Sequence, residues 1–264
     1  MDKKTGKAYR GLFCVLAVLM VVCVASLSAA TDSLTEEERD WLTKHGAIQV
    51  GAFCDYPPFG FAGVKGRPLG MSVDFWNLMA FKLGCKVKFH PTPFAKQLKG
   101  LKSGQFDSLA GILPLEERKE SFDFTREYAV IATYIYVRPR YEDLRGLPDL
   151  KGLKVGVVEG DLGEIVAQMA ALKQIRFNSH RDAIRALGEE SIDAIIMDEL
   201  VVSYYAARYG LRDRIKRIGE PVDQRQVALP VDKGNVVLLG ILNKGVDLVS
   251  SQEWTKIKEK WAGR

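Results

Sequence analysis

Ile48-Gln49-Val50-Gly51-Ala52-Phe53 reads as a buried strand, a mostly apolar run of strand length that ends where Cys54-Asp55-Tyr56-Pro57-Pro58 must turn. Working outward, Ser72 to Leu83 has helical spacing, with Ser72 the expected N-cap and Gly84 the C-terminal stop. Strand Val87–His90, helix Phe94–Lys102 (closed by Ser103-Gly104) and strand Phe106–Leu113 follow. This alternation predicts a parallel α/β unit.

The same order recurs downstream. Lys154–Val158 reads as a strand, Gly163–Leu172 as a helix and Ile175–Phe177 as a strand. Helix His180–Leu187 and strand Ala194–Met197 complete the repeat. Between the units lie the alternating strand Tyr134–Arg138 and a Pro- and charge-rich link from Pro139 to Lys151; after them come strand Gln226–Pro230 and helices Asn235–Leu248 and Gln252–Trp261. The expected fold class is α/β, two lobes facing a cleft, each a mostly parallel sheet flanked by helices. The expected division is 1–30 leader, 31–45 lead-in helix, 46–130 with 227–264 as lobe 1, and 131–226 as lobe 2. Hinges are expected near Tyr128–Thr133 and Arg225–Leu229. Ligands of such sheets sit beyond the carboxyl ends of the strands. Phe53 to Tyr56, Gly111 to Arg118, Glu159 to Leu162 and Asp198-Glu199 all fall at such ends.

The N-terminus bears on compartment. Lys3, Lys4, Lys7 and Arg10 precede an apolar core, Leu12 to Leu27, and then Ser28-Ala29-Ala30. That pattern predicts a cleaved signal peptide and a periplasmic product. A permanent anchor is the alternative, since Gly11 to Ala30 is about long enough to span a bilayer. Cys23 follows Val21-Val22 rather than a small residue, which argues against lipidation. Of 38 basic and 33 acidic side chains, residues 1–30 hold four and one, which leaves a near-balanced 34 and 32. A nucleic-acid surface would need a clustered basic excess. Of four cysteines, Cys54 and Cys85 lie beyond the leader, one after the first strand and one before the second. If those strands are parallel neighbours, the thiols are separated by roughly 20 Å, so free thiols are expected despite the oxidising compartment.

Gly111-Ile112-Leu113-Pro114-Leu115-Glu116-Glu117-Arg118 puts an arginine at a strand-to-helix junction. Its planar fork suits a carboxylate, although a solvated turn arginine would look the same. His45, His90 and His180 are scattered, and neither a metal-ligand cluster nor a phosphate-binding glycine loop appears. No cofactor is implied.

Taken in order, several segments resemble the family-3 extracellular solute-binding proteins, the periplasmic receptors of polar amino-acid transporters. The carrying stretches are Ile48–Gly51 with Asp55-Tyr56-Pro57-Pro58-Phe59, Gly70-Met71-Ser72-Val73-Asp74 and Leu101–Asp107. Glu117-Arg118 with Phe122-Asp123-Phe124-Thr125, Asp149–Gly160, Asp193–Glu199 and Trp254–Gly263 continue the match. The lead-in Leu34 to Leu42 is similar to sensing domains of periplasmic-input histidine kinases. Because the chain stops at Arg264, a free-standing binding protein is the expectation. The resemblance implies that Arg118 grips a ligand carboxylate and that Asp198 receives an α-ammonium from the other lobe. It also implies that the Gly111 carbonyl accepts from that ammonium, and that Tyr56, Phe59 and Phe94 wall the side chain. Asp198 as an N-cap, and Tyr56 and Phe94 as packing residues, stay open. An ABC permease or a membrane sensor is the implied partner, and a monomer is expected.

Three departures stand out. Leu113 and Leu115 occupy the region where the family has a hydroxyl residue. Gly160-Asp161-Leu162 stands where it has Gly-Thr-Thr or Gly-Ser-Thr, and Phe53 replaces the aspartate of members that bind basic amino acids. Asp161 adds a repelling charge for a carboxylate but could meet a cationic side chain. The expected site is therefore Phe53, Tyr56, Phe94, Gly111, Leu113, Arg118, Asp161, Leu162 and Asp198, without catalytic or metal residues. The expected function is closure on a small carboxylate, most simply an amino acid, for ABC-type uptake. Alternatives are a sensor that signals to a membrane partner, and a dehydratase of the same fold that acts on cyclic carboxylates through Glu159, Asp161 or Glu199.

Overall fold

The computed structural model describes residues 34–262, so the leader of residues 1–30 lies outside the described residues. Helix α1 (Glu36–His45) starts at a reciprocal cap: the Thr35 side chain accepts from the Glu38 amide, and the Glu38 carboxylate accepts from the Thr35 amide. Strand β1 (Ala47–Phe53) buries Ile48, Val50 and Ala52. A hairpin ribbon of β2 (Asp55–Tyr56), β3 (Gly60–Ala62) and β4 (Pro68–Leu69) then leads into α2 (Met71–Leu83). Gly84 closes α2 in the left-handed conformation, as its position predicts. Ser72 is not the N-cap: that place belongs to Gly70, at φ 128°, and Ser72 lies buried inside the first turn. A Cβ on Gly70 would stand 2.4 Å from the Phe59 carbonyl oxygen, so the chain passes too closely there for a capping side chain.

β5 (Lys86–Thr92), α3 (Phe94–Lys102) and β6 (Ser108–Leu109) complete a three-stranded parallel sheet in the order β5-β1-β6. The expected strand Phe106–Leu113 shrinks to two paired residues plus an isolated bridge, Ile112 to Ala228. Cys54 and Cys85 are free, at opposite ends of the β1–β5 pair. After the short helix α4 (Glu116–Lys119) and β7 (Phe122–Phe124), the chain crosses to the second lobe along β8 (Ala129–Val137).

The second lobe contains β9 (Val155–Val158), α5 (Leu162–Met169), β10 (Gln174–Phe177), α6 (His180–Gly188), β11 (Ala194–Asp198) and α7 (Glu199–Tyr209). Its sheet has the order β10-β9-β11-β8-β12, where β12 (Lys216–Val227) carries the chain back. β8 is antiparallel to both β11 and β12, so this sheet is parallel on one side and antiparallel on the crossing side. β13 (Pro230–Asp232), α8 (Val236–Leu248) and α9 (Ser251–Ala262) return to the first lobe. β13 pairs with β7, and Leu229, Val231, Leu238, Ile241 and Leu242 join the core of Trp76 and Met79.

α9 is tied to α2 by Lys82, whose Nζ donates to the Leu248 carbonyl and to Glu253, both at 2.8 Å. The Lys82 hydrogen bond is the main reason the Glu253 carboxyl falls from 4.5 to about 2. A depressed carboxyl contributes stability above its unfolded value and loses it as pH drops through the folded one. Glu253→Gln is therefore expected to cost about 1 kcal/mol at neutral pH, given the pair's partial exposure. The gap to the wild type should close between pH 4.5 and 2 in thermal melts. A gap that persists at pH 2 would contradict this account.

Candidate functional site

Loops at the ends of β1, β6, β9 and β11 meet the crossing strands around a cavity of about 370 Å³. From the first lobe come Phe53, Tyr56, Phe59, Gly111, Leu113, Arg118 and Trp254; from the second come Asp161, Leu162, Ile165 and Asp198. Of the nine residues expected from the sequence, eight thus line one cavity, and Phe59 joins them. Phe94 opens α3, and its side chain lies outside the described residues.

Arg118 sits in α4, where its amide donates to the Leu115 carbonyl and its Nη1 donates to the Leu113 carbonyl at 3.0 Å. These bonds turn the guanidinium back over the Leu113-Pro114-Leu115 bend toward the cavity. Burial pulls its pKa below the ordinary arginine value, the mark of a cation partly removed from water. Gly111 has φ +131°, and a Cβ there would stand 2.3 Å from the Tyr128 hydroxyl. That hydroxyl donates to the Ala110 carbonyl, while the Tyr128 ring stacks on Phe75 at 4.1 Å. Gly111→Ala is expected to cost about 2 kcal/mol through overpacking and backbone strain, and added Tyr128→Phe should recover part of it. An unchanged melting temperature for Gly111→Ala would show that the contact is soft.

Asp198 occupies the N-cap position of α7, yet its side chain makes no capping bond. Its carboxylate accepts instead from the hydroxyls of Tyr56 and Thr133 and, at 2.6 Å, from Arg225 Nη2. Arg225 lies on β12 and also lines the cavity; its Nη2 donates to Thr133 as well, and its Nε stands 2.9 Å from Asp223 at an angle outside hydrogen bonding. Burial first, and then the charges of Asp198 and Asp161, push the Tyr56 phenol well above its ordinary value, so it remains a proton donor. Its bond to Asp198 links the lobes, with the Tyr56 ring stacked on Phe59 at 5.2 Å.

Asp161 caps α5, accepting from the Leu162 amide at 2.8 Å, and its other oxygen faces His180 Nε2 at 3.0 Å. Burial pushes its carboxyl up, but His180 and the Leu162 amide outweigh that and hold it below the usual carboxylate range. Leu113 and Leu115 stand in the wall, as the missing hydroxyl implied, although Ser72 and Tyr128 also reach it. Sequence reasoning missed Arg225, Thr133 and Trp254 as parts of this arrangement. Arg225 was placed only within a hinge segment; nothing in Asp223-Gln224-Arg225-Gln226 separates it from an ordinary edge-strand charge. Among the described residues no group of three or more His, Cys, Asp or Glu is disposed to hold a metal ion.

The profile of the bacterial extracellular solute-binding proteins, family 3, matches residues 48–264. The chain belongs to that family. It is similar to the L-cystine-binding protein TcyJ of Escherichia coli (strain K12), 27% identical over 259 residues, with 96% of this chain and 95% of that one covered. Among solved structures it resembles an ancestral amino-acid-binding protein described as a precursor of cyclohexadienyl dehydratase (28% identity, TM-score 0.69, 84% and 97% covered). It also resembles a histidine kinase sensor domain similar to periplasmic binding proteins (25%, TM-score 0.69, 82% and 96% covered). This family member therefore has the type II periplasmic-binding fold, with a cavity lined from both lobes.

Proposed function

We propose that this protein is a periplasmic receptor that closes on an amino acid with a sizeable, uncharged side chain and delivers it to an ABC-type permease. The carrying observation is the cavity itself: one partly desolvated arginine, Arg118, in a wall otherwise dominated by Phe53, Phe59, Leu113, Leu162, Ile165 and Trp254. Arg118 holds the carboxylate and the apolar wall takes the side chain; phenylalanine at position 53 leaves a cationic side chain without an acid there. A cavity of about 370 Å³ is adequate for a ligand of this size. Closure works through differential affinity: a ligand that touches Arg118 in one lobe and Leu162 in the other favours the state in which both contacts exist. β8 and β12 are the segments about which the lobes turn, with lobe boundaries near residues 130 and 227.

The same geometry speaks against a dehydratase. Glu199 pairs with Arg217 at 2.5 Å away from the cavity, and Glu159 lines a neighbouring groove. Asp161 does face the cavity, but its carboxyl is held low, whereas a general acid needs a raised value. Thermal-shift screening of the mature chain against the standard amino acids, cystine and small organic acids tests the reading. Saturable stabilisation by an uncharged amino acid is expected; no response to any amino acid or carboxylate would overturn it.

A further inference from the structure

We propose that the ligand's α-ammonium is received by Asp161, and that Asp198, the aspartate at the end of β11, is an internal counter-ion of Arg225. This inference rests on the amino-acid reading above and names which acid of the cavity reads the amine. Two aspartates line the cavity wall, and their surroundings differ.

Asp198 is 4% exposed at its side chain and receives three donors: the Tyr56 and Thr133 hydroxyls and Arg225 Nη2. A carboxylate offers about four lone-pair directions, so three are taken. Arg225, which also faces Asp223, stands 2.6 Å from the Asp198 carboxylate with a side chain only 20% exposed. An ammonium arriving there would have to displace Tyr56 or Thr133 or compete with Arg225 for the carboxylate.

Asp161 is open in both respects. Its side chain is 20% exposed, and each oxygen holds one partner: the Leu162 amide on one and His180 on the other. One lone-pair direction on each oxygen is left. His180 lines the adjoining groove and not the cavity, so it steadies the carboxylate from behind and leaves the cavity side clear. The carboxyl is ionised, and it stands in the lobe opposite Arg118. With Asp198 engaged by three donors, Arg118 and Asp161 are opposite charges offered to the cavity from opposite lobes. That is the charge pattern of a zwitterion. The aspartate that seems to spoil a carboxylate-holding loop instead supplies the amine-holding one, and the carboxylate is left to Arg118.

Calorimetry tests this with a matched pair of probes: the amino acid bound most tightly in the screen, and the 2-hydroxy acid with the same side chain. The wild type is expected to prefer the amino acid by about 10- to 100-fold, the range for a hydrogen bond to a charged group. Asp161→Asn, which can still cap α5, should erase that preference while 2-hydroxy-acid affinity stays within about three-fold. Asp198→Asn should keep the preference despite a lower melting temperature; if it does not fold, Asp198→Asn with Arg225→Met carries the same readout. Preference retained in Asp161→Asn, or lost in the Asp198 variants, would overturn the assignment. Equal binding of both probes by the wild type would overturn it too, while the carboxylate receptor stands. No binding of any amino acid or carboxylate would remove the receptor reading and this assignment together.

Discussion

Arg118→Ala is expected to remove most of the ligand-induced thermal stabilisation and to leave the unliganded melting temperature within a few degrees of wild type. The guanidinium is partly removed from water, in a wall made largely of Phe53, Phe59, Leu113 and Leu162. Truncating one member of a desolvated, hydrogen-bonded charge pair costs roughly 2–5 kcal/mol, a fall in affinity of about 30-fold or more. Saturation at 100 times the dissociation constant stabilises by about 2.7 kcal/mol, or roughly 5–10 °C for a chain of this size. At the same ligand concentration that shift should shrink to about a third or less in the variant. Arg118→Lys should restore only part of it, because an ammonium cannot reproduce a two-pronged contact. Stabilisation of Arg118→Ala by the ligand as large as the wild type's would refute the role. The small structural effect follows from what Arg118 supports: a four-residue helix and the Leu113 bend.

Arg225→Met is expected to destabilise the fold itself by about 3 kcal/mol, a fall in melting temperature of roughly 6–12 °C. Removing Arg225 leaves the Asp198 carboxylate, 4% exposed in the native fold, with only the Tyr56 and Thr133 hydroxyls to hold it. The cost comes from stranding that charge, since a well-packed apolar pair can replace a buried ion pair at little loss. Adding Asp198→Asn to Arg225→Met should therefore recover most of the stability, as the amide oxygen can still accept from Tyr56 or Thr133. A single variant within 1 kcal/mol of wild type, or a double variant worse than the single, would show that Asp198 is not stabilised in this way. The two substitutions are thus expected to separate ligand from fold: loss of Arg118 should weaken solute binding, and loss of Arg225 should destabilise the chain.

The repeat of strand and helix was legible because its signals are local. β1, α2 with its Gly84 stop, α3, β9, α6 and β11 follow from apolar runs, helical spacing and glycine placement within a few residues of one another. Convergence of Phe53, Tyr56, Gly111, Leu113, Arg118, Asp161, Leu162 and Asp198 on one cavity was legible for a related reason. Parallel strands deliver their carboxyl ends to one edge, so residues at those ends meet whatever lies between them. Ser72 misled because its capping signature is real but the space is not: Gly70 passes the Phe59 carbonyl too closely. β12 was underestimated because Lys216 to Gln226 is polar and broken by an irregularity between Ile218 and Asp223, which masks the alternation of a strand.

The amino-acid sequence alone determined the α/β repeat, the two-lobed fold and the position of an arginine facing the cleft, since each depends on periodicity and spacing along one segment. Only the tertiary structure shows how the two acids of the cavity differ in the donors they hold. Arg225 is 27 residues from Asp198 and Tyr56 is 142, yet together with Thr133 they occupy most of its acceptor sites. Asp161, with His180 behind it, keeps acceptor directions toward the cavity. Whether a carboxylate is spent or available depends on donors brought in from distant strands, and no local pattern in the sequence records that.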